Sequence, residues 1–241
     1  MRARKSGNAL HEAVREEIAR RVQSGEFDPE VPLPSAASLA EEFNVSLITT
    51  KRALRDLQSA GILRSVPGLG TFVREQRRFI RNLDLSLTSM DDARRLGFTP
   101  SIQLISITRE KMKDLSFDVL SIPSEPMLCV RKLVLADDIP IMFDTAFITK
   151  PLSDSVVDEF GTKFIYQALA DNDSPVTATR LMIDAAPASP EVQQHFAVPN
   201  GYPALRRAYE FKTSDPSLKV FGCAESPFDR LACTFDLPPA D

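Results

Sequence analysis

The sequence predicts an α+β chain in two parts. A small helical N-terminal domain is closed by a two-stranded hairpin, and a larger domain built on an antiparallel sheet follows. Three observations carry this. The length, 241 residues, exceeds what one ordinary core organises. Apolar residues recur at helical spacing up to about residue 60 and take on strand character beyond about residue 100. Charge divides in the same way. Residues 1–78 hold 13 Lys+Arg and 10 Asp+Glu, leaving 16 and 23 for the remainder, within a net charge of −4.

Hydrophobic residues make up 43% and charged residues 26%, the composition of a globular chain and not of a disordered one. No apolar run reaches the ~18 residues of a membrane span. The basic start, Met1 to Lys5, is followed by no apolar segment, so no secretory signal is expected. Cys129, Cys223 and Cys233 are odd in number and lack metal-ligand spacing. They read as reduced core cysteines of a cytoplasmic protein, with no metal and no cofactor. His11 and His195 belong to no catalytic or metal-binding pattern and are expected at the surface.

In the N-terminal part, Leu10, Val14, Ile18 and Val22 recur every four residues, predicting a helix from Asn8 that Gly25 stops. Ser35 offers an N-cap for a short helix, Ala36 to Phe43, which Asn44 ends. Ser46 caps a third helix that reaches about Ala60 before Gly61. Its apolar stripe is Thr50, Ala53, Leu54 and Leu57, and its other face carries Ile48, Lys51, Arg52 and Arg55. Two short helices joined by a tight turn, the second basic outside, describe a helix-turn-helix. Ile62–Arg64 and Thr71–Val73 then pair as a hairpin, a wing.

This order closely resembles the winged helix of the GntR family over residues 8–74. Leu33-Pro34-Ser35, Leu39-Ala40, Val45-Ser46, Arg52-Ala53-Leu54, Leu57, Gly61 and Gly68 through Val73 carry the resemblance. It implies binding to double-stranded operator DNA through Ser35, Ser46, Leu47, Ile48, Thr49, Lys51, Arg52, Arg55, Gly68, Gly70 and Thr71. Three positions depart from the family pattern: Ala37, Leu47 and Leu69 stand where cations are usual. Those departures point to a non-standard operator sequence.

Residues 76–82, charged and aperiodic, read as a linker between a DNA-binding domain at 8–75 and a second domain at 83–241. That second domain predicts a helix at 89–96 and a strand around Ile102–Ile107. A hairpin follows, Met127–Ala136 and Ile139–Ile148 around Asp137-Asp138, and then helices near 152–159 and 163–170. A strand from Val176, a helix begun by Ser189-Pro190-Glu191 and a final hairpin, Ala204–Thr213 with Leu218–Pro227, complete it. A weak repeat pairs Ile122-Pro123 and Arg131-Lys132 with Val198-Pro199 and Arg206-Arg207, implying one sheet with internal pseudo-symmetry.

The half from about Leu83 to Asp236 resembles the UTRA domain, the ligand-sensing module of the HutC subfamily, whose fold is like chorismate lyase. Leu133, Leu135-Ala136-Asp137-Asp138, Pro140, Asp144, Ala146-Phe147-Ile148, Tyr166, Pro187-Ala188-Ser189 and Glu225-Ser226 carry the match. The resemblance implies a small-molecule effector at Lys132, Asp144, Phe164, Tyr166 and Glu225. A single helix-turn-helix buries too little surface for useful specificity, so a homodimer through the C-terminal domain is expected. Val134 and Phe164 replace an Arg and a Ser of the family pattern, which favours a smaller or more apolar effector over a phosphosugar. Lys132 and Asp144 also fit a plain cross-strand pair. The chain is thus expected to be a cytoplasmic, ligand-responsive DNA-binding regulator, most simply a repressor. An enzyme with a lyase-like domain and a constitutive regulator with a degenerate sensor remain alternatives, although no Ser/His/Asp set, metal cluster or phosphate loop emerges.

Overall fold

The computed structural model describes residues 7–74, 79–82, 94, 97–112 and 122–234. It separates into two compact units. One comprises residues 1–78 with 189–202, the other 79–188 with 203–241.

In the first unit, helices α1 (Gly7–Gln23), α2 (Ala36–Glu42) and α3 (Leu47–Ser59) precede the hairpin β1 (Leu63–Val66) and β2 (Gly70–Val73). Val14 and Ile18 of α1 meet Leu39 of α2, Ala53 and Leu57 of α3, and Ile62 and Leu63 in one core. Asn44 takes the positive φ of 52° that the tight turn between α2 and α3 needs, a geometry asparagine tolerates well. His11 departs from the surface position expected of it. It is buried at 5% exposure, and its Nε2 lies 2.7 Å from Asp56 Oδ2 on α3. The contact has ion-pair distance without the geometry of a hydrogen bond. Position 11 falls on the inward stripe of α1, three residues before Val14 and seven before Ile18. Helix α6 (Pro190–Phe196) groups with this unit, where Ala197 joins the same core. The segment leaves the sheet after Pro187 and re-enters at Pro203, which pair with each other. A division of the chain by sequence order alone could not place it there.

The second unit is a six-stranded antiparallel sheet of β4 (Pro100–Glu110), β5 (Met127–Ala136), β6 (Ile139–Ile148), β7 (Val176–Pro187), β8 (Pro203–Thr213) and β9 (Lys219–Pro227). Its spatial order is β4-β5-β6-β9-β8-β7. The strands β4-β5-β6 are mirrored by β7-β8-β9 about the β6–β9 pair, as the repeat anticipates. Asp137 and Asp138, at φ 50° and 61°, make the tight turn between β5 and β6. Helices α4 (Asp154–Glu159) and α5 (Ile165–Asp171) cover one face, with Val156, Phe160, Ile165 and Leu169 buried against Val130, Ala146 and Val220. The other face holds a smaller cluster that includes Cys129, Phe147, Phe221 and Cys223. Burial pushes the Cys129 thiol up to about 12, in keeping with a core cysteine.

Two expectations shift. The second half of the proposed linker, Phe79–Asn82, is a strand, β3, paired in parallel with β10 (Leu231–Thr234). Four residues are too few to show periodicity, and the partner lies some 150 positions away in sequence. The helix expected at 89–96 lies outside the described residues, apart from Arg94, which is helical.

Candidate nucleic-acid interface and effector site

Both helices of the N-terminal motif start on a serine cap. Ser35 Oγ accepts from Ser38 N at 3.1 Å, and Ser46 Oγ accepts from Thr49 N at 3.2 Å. The Ser46 and Thr49 hydroxyls also bond each other at 2.8 Å. These contacts fix the first turn of α3 with its N-terminal N–H groups outward, a ready site for phosphate oxygen. Thr50, Ala53, Leu54 and Leu57 are buried as the stripe predicts, while Lys51, Arg52 and Arg55 are exposed on the opposite side. Leu47 and Ile48 are 43% and 78% exposed, so neither is folded back into the core.

The wing carries Gly68 and Gly70 at φ 77° and 124°, conformations that strain any L side chain. A Cβ on Gly70 would come within 3.1 Å of Pro32 Cβ. The Thr71 carbonyl accepts from Leu33 N at 2.7 Å and ties the wing to the loop before α2. Leu69, at the wing tip, is 68% exposed. The unit therefore presents a surface with exposed cations, helix-cap hydroxyls and three bare aliphatic side chains.

In the second unit, register decides which predicted residues meet. Lys132 on β5 stands opposite Asp144 on β6. Lys132 is 1% exposed; its Nζ donates to the Lys163 carbonyl at 2.6 Å and lies 5.1 Å from the Phe160 ring centroid. Burial drives its pKa down to about 8, against the opposing pull of Asp144. Asp144 accepts from the Tyr209 hydroxyl at 2.9 and 3.2 Å. Tyr166 on α5 stacks on Phe164 at 5.5 Å and meets the edge of Phe211, which in turn stacks on Tyr209 at 4.4 Å. Lys132, Asp144, Phe164 and Tyr166 thus share the helix-covered face.

Glu225 does not join them. It pairs with Phe143 and Arg206, one position out of phase with Asp144, so its side chain belongs to the opposite face. On that face Arg206 holds Asp184 in a two-pronged ion pair. Tyr209 and Arg207 are functional candidates that the motif reading missed. Strand β8 places Arg207, Tyr209 and Phe211 at alternate positions on the helix-covered face, with the small residues Ala224 and Gly222 of β9 beside the first two. Tyr209 crosses Gly222, where an added Cβ would sit 2.3 Å from the phenol. The spacing of 207, 209 and 211 and the β8–β9 hairpin were readable; the β6–β9 pairing that sets this strand in one row with Asp144 was not.

A capped, outwardly basic helix behind a tight turn and followed by a wing defines a winged-helix DNA-binding protein, here carrying a separate α+β unit. Sequence comparison agrees for both units. Residues 10–73 match the profile of bacterial regulatory proteins of the gntR family, and residues 95–209 match the UTRA domain. The chain belongs to the GntR family, in its HutC branch, which carries UTRA domains. It is 26% identical over 203 residues to the HTH-type transcriptional repressor NagR of Bacillus subtilis, covering 81% of each chain. It is 24% identical over 201 residues to the histidine utilization repressor of Pseudomonas putida, covering 81% of this chain and 79% of that one. Among solved structures, PhnF from Mycobacterium smegmatis shares the fold with a TM-score of 0.59 at 18% identity, covering 94% of this chain and all of that one.

Proposed function

We propose that this protein is a ligand-responsive transcriptional repressor that acts as a homodimer in the cytoplasm and does no catalysis of its own. The observation that carries the DNA-binding half is the exposed row on α3, Leu47, Ile48, Lys51 and Arg55, set opposite a fully buried stripe. Relatives aligned over four-fifths of the chain are named as repressors, which supports the sign of the regulation. Two half-sites read by a dimer supply specificity that one helix-turn-helix lacks. The cations contact phosphate through Lys51, Arg52 and Arg55, the caps Ser35 and Ser46 and the wing backbone at Gly68, Gly70 and Thr71 position the helix, and Leu47, Ile48 and Thr49 face base edges.

The effector binds on the helix-covered face of the sheet, among Lys132, Asp144, Phe164, Tyr166 and Tyr209. The domain boundaries follow as 8–75 for DNA binding and 83–241 for sensing, with residues 189–202 contributed to the first unit. The test is selection of binding sites from random duplexes by the purified full chain. An inverted repeat with half-sites about one helical turn apart is the expected result. Selection of a single unrepeated site, or of nothing, overturns the dimeric reading or the DNA-binding one respectively.

A further inference from the structure

Arg207 is the one buried side chain on the helix-covered face whose charge the described residues leave unanswered. It is 4% exposed. Register sets it beside Ala224 on β9, in the same row as Asp144 and Lys132. The side chain crosses that alanine to reach β6, where its terminal nitrogen donates to the Met142 sulfur, a weak acceptor. Its Nε is buried with no hydrogen-bond partner. Among the described residues no carboxylate forms an ion pair with it. The neighbouring acids Asp184, Glu210 and Glu225 lie out of phase, on the other face.

The row therefore holds Lys132 and Asp144, which offset each other, and one guanidinium in excess. A guanidinium keeps its charge at any physiological pH, and burying it uncompensated is costly. Proteins retain such costs where a ligand removes them. We propose that Arg207 is the anion receptor of the effector site, and that the effector is a small monocarboxylate with an apolar body. This rests on the reading of the helix-covered face as the sensing site, and it names the ligand class. The planar fork of arginine matches a carboxylate with two parallel hydrogen bonds. A phosphate dianion would call for a second cation, and Lys132 already donates to the Lys163 carbonyl, with Asp144 opposite it across the strand pair. The stacked Phe164 and Tyr166 rings offer the body of the ligand an apolar wall.

The test uses the full chain and matched pairs of probes: acetate, butyrate and benzoate against acetamide, butyramide and benzamide, with chloride equalising ionic strength. Without probe, Arg207→Met raises Tm by about 2–4 °C, because it removes a buried unpaired charge and keeps the volume. Arg207→Gln serves as a second variant should the first not fold. With probe, at least one carboxylate raises the wild-type Tm above its amide, and neither variant shows that difference. A fall in Tm for the Met variant makes Arg207 structural and overturns the proposal. So does the absence of any preference for acid over amide in the wild type. Equal protection by acids and amides would overturn the anion receptor while leaving a sensing site in place. Loss of specific DNA binding by the wild type itself would instead strike the underlying regulator reading.

Discussion

Gly222→Ala tests the geometry of the helix-covered face most sharply. Replacing glycine by alanine ordinarily adds about 0.4–1 kcal/mol of stability through the unfolded chain. Here the new methyl would lie 2.3 Å from Tyr209 Cζ and Oη and 2.8 Å from Cε1, so the ring must leave. Tyr209 is 8% exposed and anchored by its hydroxyl to Asp144, and it stacks on Phe211. Overpacking costs about 1–3 kcal/mol. Losing a hydrogen bond to a charged group adds about 1.5–3 kcal/mol. Both terms exceed the entropic gain, so the variant is destabilised by about 2–5 kcal/mol. Tyr209→Phe loses only the bond, about 1.5–3 kcal/mol. The double variant falls short of the sum by roughly the shared bond, since the ring displaced by the methyl has already lost it. Urea denaturation of the four proteins measures this. Neutral or stabilising behaviour of Gly222→Ala would refute the arrangement, as would strict additivity.

Further predictions concern the two surfaces and one titration. Lys51→Ala and Arg55→Ala each lower the slope of log affinity against log salt by about 1 without lowering the unfolding temperature, read by fluorescence anisotropy and a thermal scan. Unchanged slopes in both would show that this face does not meet DNA. In binding-site selection, wild type enriches thymine opposite Leu47, whose aliphatic side chain suits the 5-methyl group, and Leu47→Arg shifts that position to guanine by roughly 5–150-fold. Guanine in both pools would remove Leu47 from base reading. Lys132 is depressed from 10.5 to about 8 in the folded state, so between those values the unfolded chain binds more protons and stability gained from this group rises with pH. Relative to Lys132→Met, wild type therefore gains stability from pH 8 to 10.5, by up to about 3 kcal/mol. A constant difference across that window would show that Lys132 is not desolvated.

The winged helix was legible because its signals are local. Caps at Ser35 and Ser46, the turn at Asn44 and the wing glycines each act within a few residues, and α3 shows its stripe over about two turns. The sheet was legible at the level of strands and hairpins, since alternation and the Asp137-Asp138 turn are also local. Pairing between distant segments was not. Glu225 matched the family pattern in sequence, yet its phase relative to Asp144 is set by the β6–β9 register, which no local feature encodes. For the same reason β3 read as linker, and residues 189–202 read as part of the sensor. His11 was misplaced for a different reason. A polar residue on an apolar stripe has only its partner to justify it, and Asp56 is 45 positions away.

The most direct test compares the affinity of the full-length protein for its selected operator with that for a scrambled duplex of equal length, at about 0.15 M salt, where the Debye length is about 8 Å. The account predicts at least about 10³-fold tighter binding to the operator, falling toward the scrambled value when Lys51 and Arg55 are both replaced by alanine. A ratio near one for the wild type, or a ratio unmoved by that double substitution, would contradict it.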